Sequence, residues 1–293
     1  MDAHYENILV RHIPSRHESL TIDSKDNILD ALTQLLQGYY TAPVVRTSDS
    51  IVLGLLDIAD IVHYIVTHYG STTNLIDLCT ITPISELIST SKRNPIIPLK
   101  ESNNLLDAVR ILAHVRRVPV FDEGDQCRIV SQTDVLRFLS KNDSLIPTLR
   151  EKPIGDCFCG VPKQVYNVHV TDKSITAFRL MDEHKIYSVG IVNDHGELVS
   201  NISISDVKAI LTTKSALFLT ETVLDTISRV KSRELVTKSP IIYSTPLDSF
   251  INVVKKLSAT GVHHVYLTSD GSKKPIGVVA LSDILQDILR AEL

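Results

Sequence analysis

The chain is predicted to fold as α/β (α+β), with four repeats that each run strand–helix–strand–strand–helix. Two observations carry that prediction. The first is a motif that recurs four times: a small residue or Ser/Thr, then Asp, then an apolar pair, just after an apolar run. Its aspartates are Asp60, Asp134, Asp206 and Asp283, at intervals of 74, 72 and 77 residues. Self-similarity at a fixed period is the signature of a repeat architecture. The second is that each motif is preceded by the same alternation of helical and strand periodicity.

The elements of the first repeat fix the pattern. Leu20-Thr21-Ile22 reads as a short strand. Ile28, Leu29, Ala31, Leu32, Leu35 and Leu36 then follow at helical spacing, with Asp26 or Asn27 as cap and Gly38 as terminator. Ala42-Pro43-Val44-Val45 and residues 51–56 form two strands around the turn Thr47-Ser48-Asp49-Ser50, and a helix over 58–69 closes the repeat. In the second repeat Pro95-Ile96-Ile97-Pro98 is the first strand, and Leu105-Leu106-Asp107-Ala108-Val109 echoes Ile28-Leu29-Asp30-Ala31-Leu32. Val118-Pro119-Val120-Phe121 echoes the first repeat's middle strand. A turn at Asp122-Glu123-Gly124-Asp125, a strand over 128–130 and a helix over 133–140 complete it.

The third repeat has strands at 167–170, 188–192 and 198–202 and helices over 174–184 and from Ser205. The fourth has strands at 241–243, 264–267 and 277–280 and helices over 248–260 and from Ser282. A turn at Ser269-Asp270-Gly271 joins its last two strands, and Gly261 ends its first helix. The stretch 141–165, with its prolines and weak periodicity, places a boundary near Arg150. The expected domains are therefore 1–150, with repeats at about 8–70 and 82–141, and 151–293, with repeats at about 153–212 and 226–293. Residues 8–13 and the neighbourhood of Asp156 act as lead segments. One such repeat cannot cover both faces of its sheet, so repeats should pair, giving two tandem modules.

Composition narrows the function. The 293 residues carry a net charge of −4, with Lys and Arg scattered along the chain, which argues against a general nucleic-acid binder. No apolar run reaches the length of a membrane span, and the N-terminus lacks an apolar signal core. A cytoplasmic and also nuclear location is expected. Of four cysteines only Cys157-Phe158-Cys159 is clustered, without the second ligand pair of a zinc site, so reduced thiols are expected. His12, His17 and Glu183-His184-Lys185 show no metal-ligand pattern, and Lys273-Lys274-Pro275 reads as a solvated turn. No Gly-rich phosphate loop, nucleophile elbow or paired catalytic acids stand in a suitable context, so the chain is not expected to be an enzyme.

The repeat order and its Ser/Thr-Asp ending resemble the CBS domain along essentially the whole chain. Val262-His263-His264-Val265-Tyr266-Leu267 followed by Gly277-Val278-Val279-Ala280-Leu281-Ser282-Asp283-Ile284-Leu285-Gln286 carries the resemblance most fully. The four-repeat arrangement resembles the gamma subunit of AMP-activated protein kinase and its fungal and plant relatives. Other four-repeat regulators look similar, including fungal stress-related proteins proposed to restrain phosphatases.

The resemblance implies adenine nucleotides held between paired repeats. The carboxylate at the helix start would accept from the ribose hydroxyls, supported by the preceding hydroxyl: Thr133-Asp134, Ser205-Asp206 and Ser282-Asp283. In the first repeat Ala59 precedes Asp60, and the hydroxyl is missing. An acceptor-only carboxylate suits a vicinal diol; the same residues also suit a helix N-cap and first turn, and both readings stand.

Phosphate contacts would come from the pair before the second strand, where the repeats carry Tyr40-Thr41, Arg116-Arg117, Tyr187-Ser188 and His263-His264. Arg116 and Arg117 can grip phosphate bidentately, whereas a neutral imidazole offers one donor. His264 stands where the kinase-subunit relatives carry Arg.

The resemblance thus implies a non-catalytic regulator, with no required cofactor and AMP, ADP or ATP as regulatory ligands. Its partners would be the catalytic and beta subunits of a Snf-type kinase. The alternatives are a ligand-free scaffold or phosphatase-restraining adaptor, and a homodimer in which repeats of two chains pair.

Overall fold

The computed structural model describes residues 3–15, 20–70, 74–124, 127–213, 215–232, 241–269 and 271–291. His17, Asp125 and Asp270, singled out above, lie outside them. After a short helix α1 (Ala3–Glu6), the first repeat comprises β1 (Ile22–Asp23), α2 (Ile28–Leu35), β2 (Thr41–Arg46), β3 (Ile51–Asp57) and α3 (Ile58–His68). A connecting helix α4 (Leu75–Ile81) precedes the second repeat: β4 (Leu99–Lys100), α5 (Leu105–Leu112), β5 (Arg117–Phe121), β6 (Cys127–Ser131) and α6 (Gln132–Lys141). The third has β7 (Asn167–His169), α7 (Ser174–Glu183), β8 (Ser188–Val192) and β9 (Leu198–Ser203), then a 3-10 turn Ile204–Lys208 running into α8 (Ala209–Thr213). After α9 (Val223–Ser232), the fourth has β10 (Tyr243–Ser244), α10 (Phe250–Thr260), β11 (His264–Thr268), β12 (Pro275–Ala280) and α11 (Leu281–Ala291).

The four sheets are built alike. Each has three strands in sequence order, the first parallel to the middle one and the third antiparallel to it. A parallel neighbour requires a crossover, and α2, α5, α7 and α10 supply it. Each crossover helix buries the same stripe: Ile28, Ala31, Leu32 and Leu35 on α2; Leu105, Ala108, Val109 and Leu112 on α5; Ser174, Ala177, Phe178 and Met181 on α7; Phe250, Val253, Val254 and Leu257 on α10. The spacing i, i+3, i+4, i+7 is one face of an α-helix. Gly261 ends α10 in the left-handed region, at φ +69°, where it donates to the Leu257 carbonyl.

The chain forms two compact units, and they are not the expected halves 1–150 and 151–293. One, here called the even unit, contains residues 1–19, 96–165 and 239–293, hence the second and fourth repeats. The other, the odd unit, contains 20–95 and 166–238, hence the first and third. The reason lies in the helix faces. In the even unit α5 packs on α11 and α6 packs on α10 and α11. Leu112, Val135 and Leu139 share a core with Val254, Leu257, Ile284 and Ile288. In the odd unit α3 packs on α7, and Ile61, Val62 and Ile65 share a core with Phe178, Met181, Val207 and Ile210.

Lead segments complete each unit. In the even unit Val10 N donates to the Asn103 carbonyl at 2.8 Å and Leu105 N to that of Ile8 at 2.7 Å. Ile154 N donates to Asp248 at 2.7 Å and Phe250 N to Lys152 at 2.8 Å. In the odd unit Ile84 N donates to Asp26 at 2.8 Å, and Val223 N to Asp172 at 2.8 Å. Residues 8–13 and 152–155 are thus lead segments, but of the second and fourth repeats rather than of the first and third, which follow them in the chain.

Several boundaries differ from expectation. The first strands lie further along at Ile22–Asp23, Leu99–Lys100 and Tyr243–Ser244, because each pairs over only two residues with the end of its neighbour. Residues 95–98 therefore form no strand. The helices expected from Ser205 and Ser282 start one residue earlier, at Ile204 and Leu281. Helices α4 and α9 were not expected, because they lie between repeats, outside the pattern that identified the others.

Candidate functional site

Every repeat makes the same helix start. The last strand enters the helix, and the recurring aspartate occupies its third position. There one carboxylate oxygen turns back to accept from the N–H of the capping residue: Asp60 from Asp57 at 2.9 Å, Asp134 from Ser131 at 3.0 Å, Asp206 from Ser203 at 2.7 Å and Asp283 from Ala280 at 2.9 Å. This is the reciprocal half of a capping box, and it satisfies a backbone donor that the helix leaves unpaired. The caps are therefore Ser131 and Ser203, whose hydroxyls also donate to Asp134 and Asp206 at 2.7 and 2.8 Å. Thr133, Ser205 and Ser282 are second helical residues rather than caps.

The same helix start positions the residue pair ahead of each middle strand. The first N–H of each helix donates to the carbonyl of that pair's leading residue. Gln132 donates to Arg116 at 3.0 Å, Leu281 to His263 at 3.1 Å, Ile58 to Tyr40 at 3.1 Å and Ile204 to Tyr187 at 2.9 Å. The second member lies directly across from the residue before the helix: Arg117 opposite Ser131, His264 opposite Ala280, Thr41 opposite Asp57 and Ser188 opposite Ser203. A helix N-terminus, a carboxylate and the pair are thereby gathered in each repeat.

In the even unit this brings the predicted phosphate residues of the second and fourth repeats together. Arg116 Nη2 donates to His263 Nδ1 at 2.6 Å. That bond requires a bare Nδ1, which puts the ring proton on Nε2. Burial drives the His263 pKa well below its ordinary value. The charges of Arg116, Arg117 and Arg137 and the neighbouring His264 drive it further in the same direction. Burial, and then Arg116, lowers His264 to about 4. Both imidazoles are therefore neutral near pH 7, with Arg116 beside both and Arg117 and Arg137 also acting on His263. The N-termini of α6 and α11 add partial positive charge at this site.

Its two carboxylates are differently engaged. The outer oxygen of Asp134 lies 4.0 Å from Arg137 Nη1. That of Asp283 is paired with Lys163 Nζ at 2.9 Å. Lys163 and Arg137 were missed by sequence reading. Arg137 was within reach, one helical turn beyond Asp134; Lys163 lies 120 residues from its partner and left no signal.

Among its described residues the odd unit has no such cluster. Its corresponding pairs are Tyr40-Thr41 and Tyr187-Ser188. Thr41 Oγ1 donates to Asp57 Oδ2. Asp60 is 1% exposed, and its second oxygen accepts from Ser91 N at 2.9 Å, so both oxygens serve the backbone. Burial raises its pKa to about 6. Asp206 contrasts with it: Oδ1 makes no hydrogen bond among the described residues, and Ser205 Oγ sits 2.9 Å from Ser203 Oγ.

Arg93, a buried cation of this unit, is used internally. It donates to the carbonyls of Ile186 and Met181 and to Asp182, and stacks over Tyr187. Among the described residues no cluster could hold a metal ion, and no helix is long and apolar enough to cross a membrane. The four cysteines are free thiols.

Comparison with known proteins fits this geometry. The CBS-domain sequence profile matches residues 10–67, 84–141 and 232–290, and β7 to α8 repeat the same order between the last two matches. Protein SDS23 of Kluyveromyces lactis is 25% identical over 96% of this chain and 62% of its own length. The 5'-AMP-activated protein kinase subunit gamma of Dictyostelium discoideum is 26% identical over 94% of this chain and 50% of its own. The chain thus spans less than two thirds of these relatives. Among solved structures, protein MJ1225 of Methanocaldococcus jannaschii, a proposed archaeal homolog of g-AMPK, superposes with a TM-score of 0.75. It is 17% identical, over 95% of this chain and 99% of that one, and the likeness is one of fold.

Proposed function

The chain belongs to the CBS-domain family, and from that premise we propose that it is a non-catalytic regulatory protein that binds an adenine nucleotide in its even unit. The observation that carries this reading is the meeting of Arg116, Arg117, His263 and His264 beside two helix N-termini. Guanidiniums bind phosphate through paired, charge-assisted hydrogen bonds. Asp134 and Asp283, with Thr133 and Ser282 next to them, are the acceptors for a ribose diol, Asp283 by exchanging its Lys163 partner for the diol. In the odd unit Asp206 with Ser205 offers a diol acceptor, with no basic side chain bonded to it among the described residues. Asp60 drops out of the set, because both its oxygens already serve the backbone. The bound nucleotide would bias a surface read by the catalytic and beta subunits of a protein kinase, by a bias no larger than its preference between two arrangements. The similarity to a kinase gamma subunit supports that choice of partner.

Thermal unfolding with millimolar AMP, ADP or ATP tests the reading, with Asp134→Ala and Asp283→Ala beside the unaltered protein. Ligand at 100 times its Kd stabilises by about 2.7 kcal/mol, which for a chain of this size is a shift of roughly 2–4 °C per kcal/mol. A shift lost in one variant locates the site. No shift with any of the three sinks the reading.

A second reading is a ligand-free scaffold, including one that restrains a phosphatase. The buried Asp60 and the absence of a basic cluster among the described residues of the odd unit favour it. Recovery of kinase catalytic and beta subunits with the purified protein supports the first reading. Phosphatase subunits without bound nucleotide support the second.

A further inference from the structure

We infer that residues 157–164 form a strap that reports whether the diol acceptor of the fourth repeat is occupied, with Lys163 as its latch on Asp283. This rests on the nucleotide reading above and adds its regulation. A ribose diol and Lys163 compete for one carboxylate oxygen, and the ligand releases the strap.

The competition follows from the aspartate. Asp283 Oδ2 accepts from Ala280 N at 2.9 Å and is fixed by the helix start. Oδ1 is the oxygen left for a ligand, and Lys163 Nζ donates to it at 2.9 Å. In the first repeat the second oxygen of Asp60 is taken by Ser91 N, a backbone donor fixed by the fold. An ammonium on a flexible four-carbon stem can leave. The Lys163 and Asp283 side chains are 32% and 20% exposed, so water reaches the pair and exchanges with it readily. A second place for the ammonium lies close by, since Nζ is 5.9 Å from the centre of the Phe158 ring, within reach of a cation–π contact.

The two ends of the strap are held differently. Its first part is anchored. Cys159 is fully buried, and its N–H donates at 2.8 Å to Oδ2 of the buried Asp287. Gly160 packs so closely that a Cβ there would collide with the Ile154 carbonyl oxygen. Phe158 lies beneath the Arg290 guanidinium, 3.5 Å from the ring centre. Beyond this anchor Val161, Pro162 and Gln164 are exposed, and the Lys163–Asp283 pair ties their stretch to α11. Opening the pair therefore loosens 161–164 and leaves 157–160 in place. Occupancy of Asp283 is thereby read out on an exposed surface of the even unit.

The test compares unaltered protein, Lys163→Met and Lys163→Arg. Calorimetric titration with adenosine and AMP reads affinity, and hydrogen exchange followed by mass spectrometry reads residues 157–164 with and without AMP. An exposed ion pair is worth a fewfold factor in an equilibrium, so Lys163→Met is expected to tighten both ligands about two- to fivefold. Adenosine carries no phosphate, so its gain isolates the contest for the carboxylate. Lys163→Arg, which pairs with a carboxylate at least as well, should bring no gain. AMP should speed exchange over 161–164 in the unaltered protein and leave 158–160 unchanged, and Lys163→Met should exchange fast over 161–164 without ligand. Equal or weaker binding by Lys163→Met overturns the inference and leaves the nucleotide reading standing. Tighter binding with no change of exchange over 161–164 also overturns it, because Lys163 then acts without the strap. Binding of neither ligand by any of the three proteins overturns both the inference and the reading.

Discussion

Asp60 shows how one motif serves different ends. It and Asp57 are each 1% exposed, and Asp60 accepts from Asp57 N and Ser91 N. Burial, helped by the charge of Asp57, raises its pKa from 3.8 to about 6. A carboxyl so raised holds its proton in the folded chain at pH values where the unfolded chain has released it. Stability from this group is therefore greatest below pH 4 and declines as pH rises to about 6, by up to about 3 kcal/mol. His263 and His264 act in the opposite sense. Their folded pKa values are depressed, so their contribution is full above their ordinary value of 6.5 and falls as pH drops below it. A whole-protein pH profile mixes the two, and a difference measurement separates them. The unfolding free energy of the unaltered protein minus that of Asp60→Asn should fall by up to about 3 kcal/mol between pH 4 and pH 7. A difference that stays constant over that range would remove the buried charge from the account.

At the scale of elements, the four helix starts share a carboxylate but differ in the cap. Ser131 and Ser203 cap with a hydroxyl, whereas Ala280 stands in the equivalent place before α11. Replacing a capping Ser by Ala costs about 0.5–2 kcal/mol. Ser131→Ala should lose about 1 kcal/mol and Ala280→Ser gain a smaller amount, measured by denaturant midpoints at unchanged slope. Equal and negligible effects at both sites would mean that the aspartates alone hold the helix starts. These elements also show what the sequence could convey. The aspartates located four helix starts because a third-position carboxylate has a fixed backbone partner. The caps were less legible, because hydroxyls at Thr133 and Ser282 stand beside the aspartate, whereas the hydrogen bond spans three residues. The stripes of α2, α5, α7 and α10 were legible from their 3.6-residue period. The two-residue strands β1, β4 and β10 were not, since an edge pairing so short imposes no alternation. Of the candidate site, the position of the four basic and imidazole residues followed from the family resemblance together with alignment of the repeats. Lys163 was not legible, because only folding brings it to Asp283.

For the molecule as a whole, the repeats were legible but their grouping into compact units was not, for a simple reason. All four crossover helices carry the same apolar spacing, so no stripe names its partner. Folding groups the second repeat with the fourth and the first with the third. Either half of the chain then contains one repeat from each unit and half of each core. In residues 1–150, Leu112, Val135 and Leu139 lack Val254, Leu257, Ile284 and Ile288, and Ile61 and Ile65 lack Phe178 and Met181. Exposing those faces leaves apolar surface of the kind that drives association. The expectation is that 1–150 and 151–293, produced separately, will not be folded monomers: each will self-associate or unfold without cooperativity. Mixed, they should give one species with the mass of the full chain and a single cooperative transition. Light scattering on a sizing column, with calorimetry on the same fractions, reads both. A monomeric, cooperatively unfolding 1–150 would show that a half carries a complete core and that the shared cores are dispensable. Self-association of a half through those faces would also show how a homodimer of two-repeat chains could be built, with a second copy supplying the face that the other half supplies here.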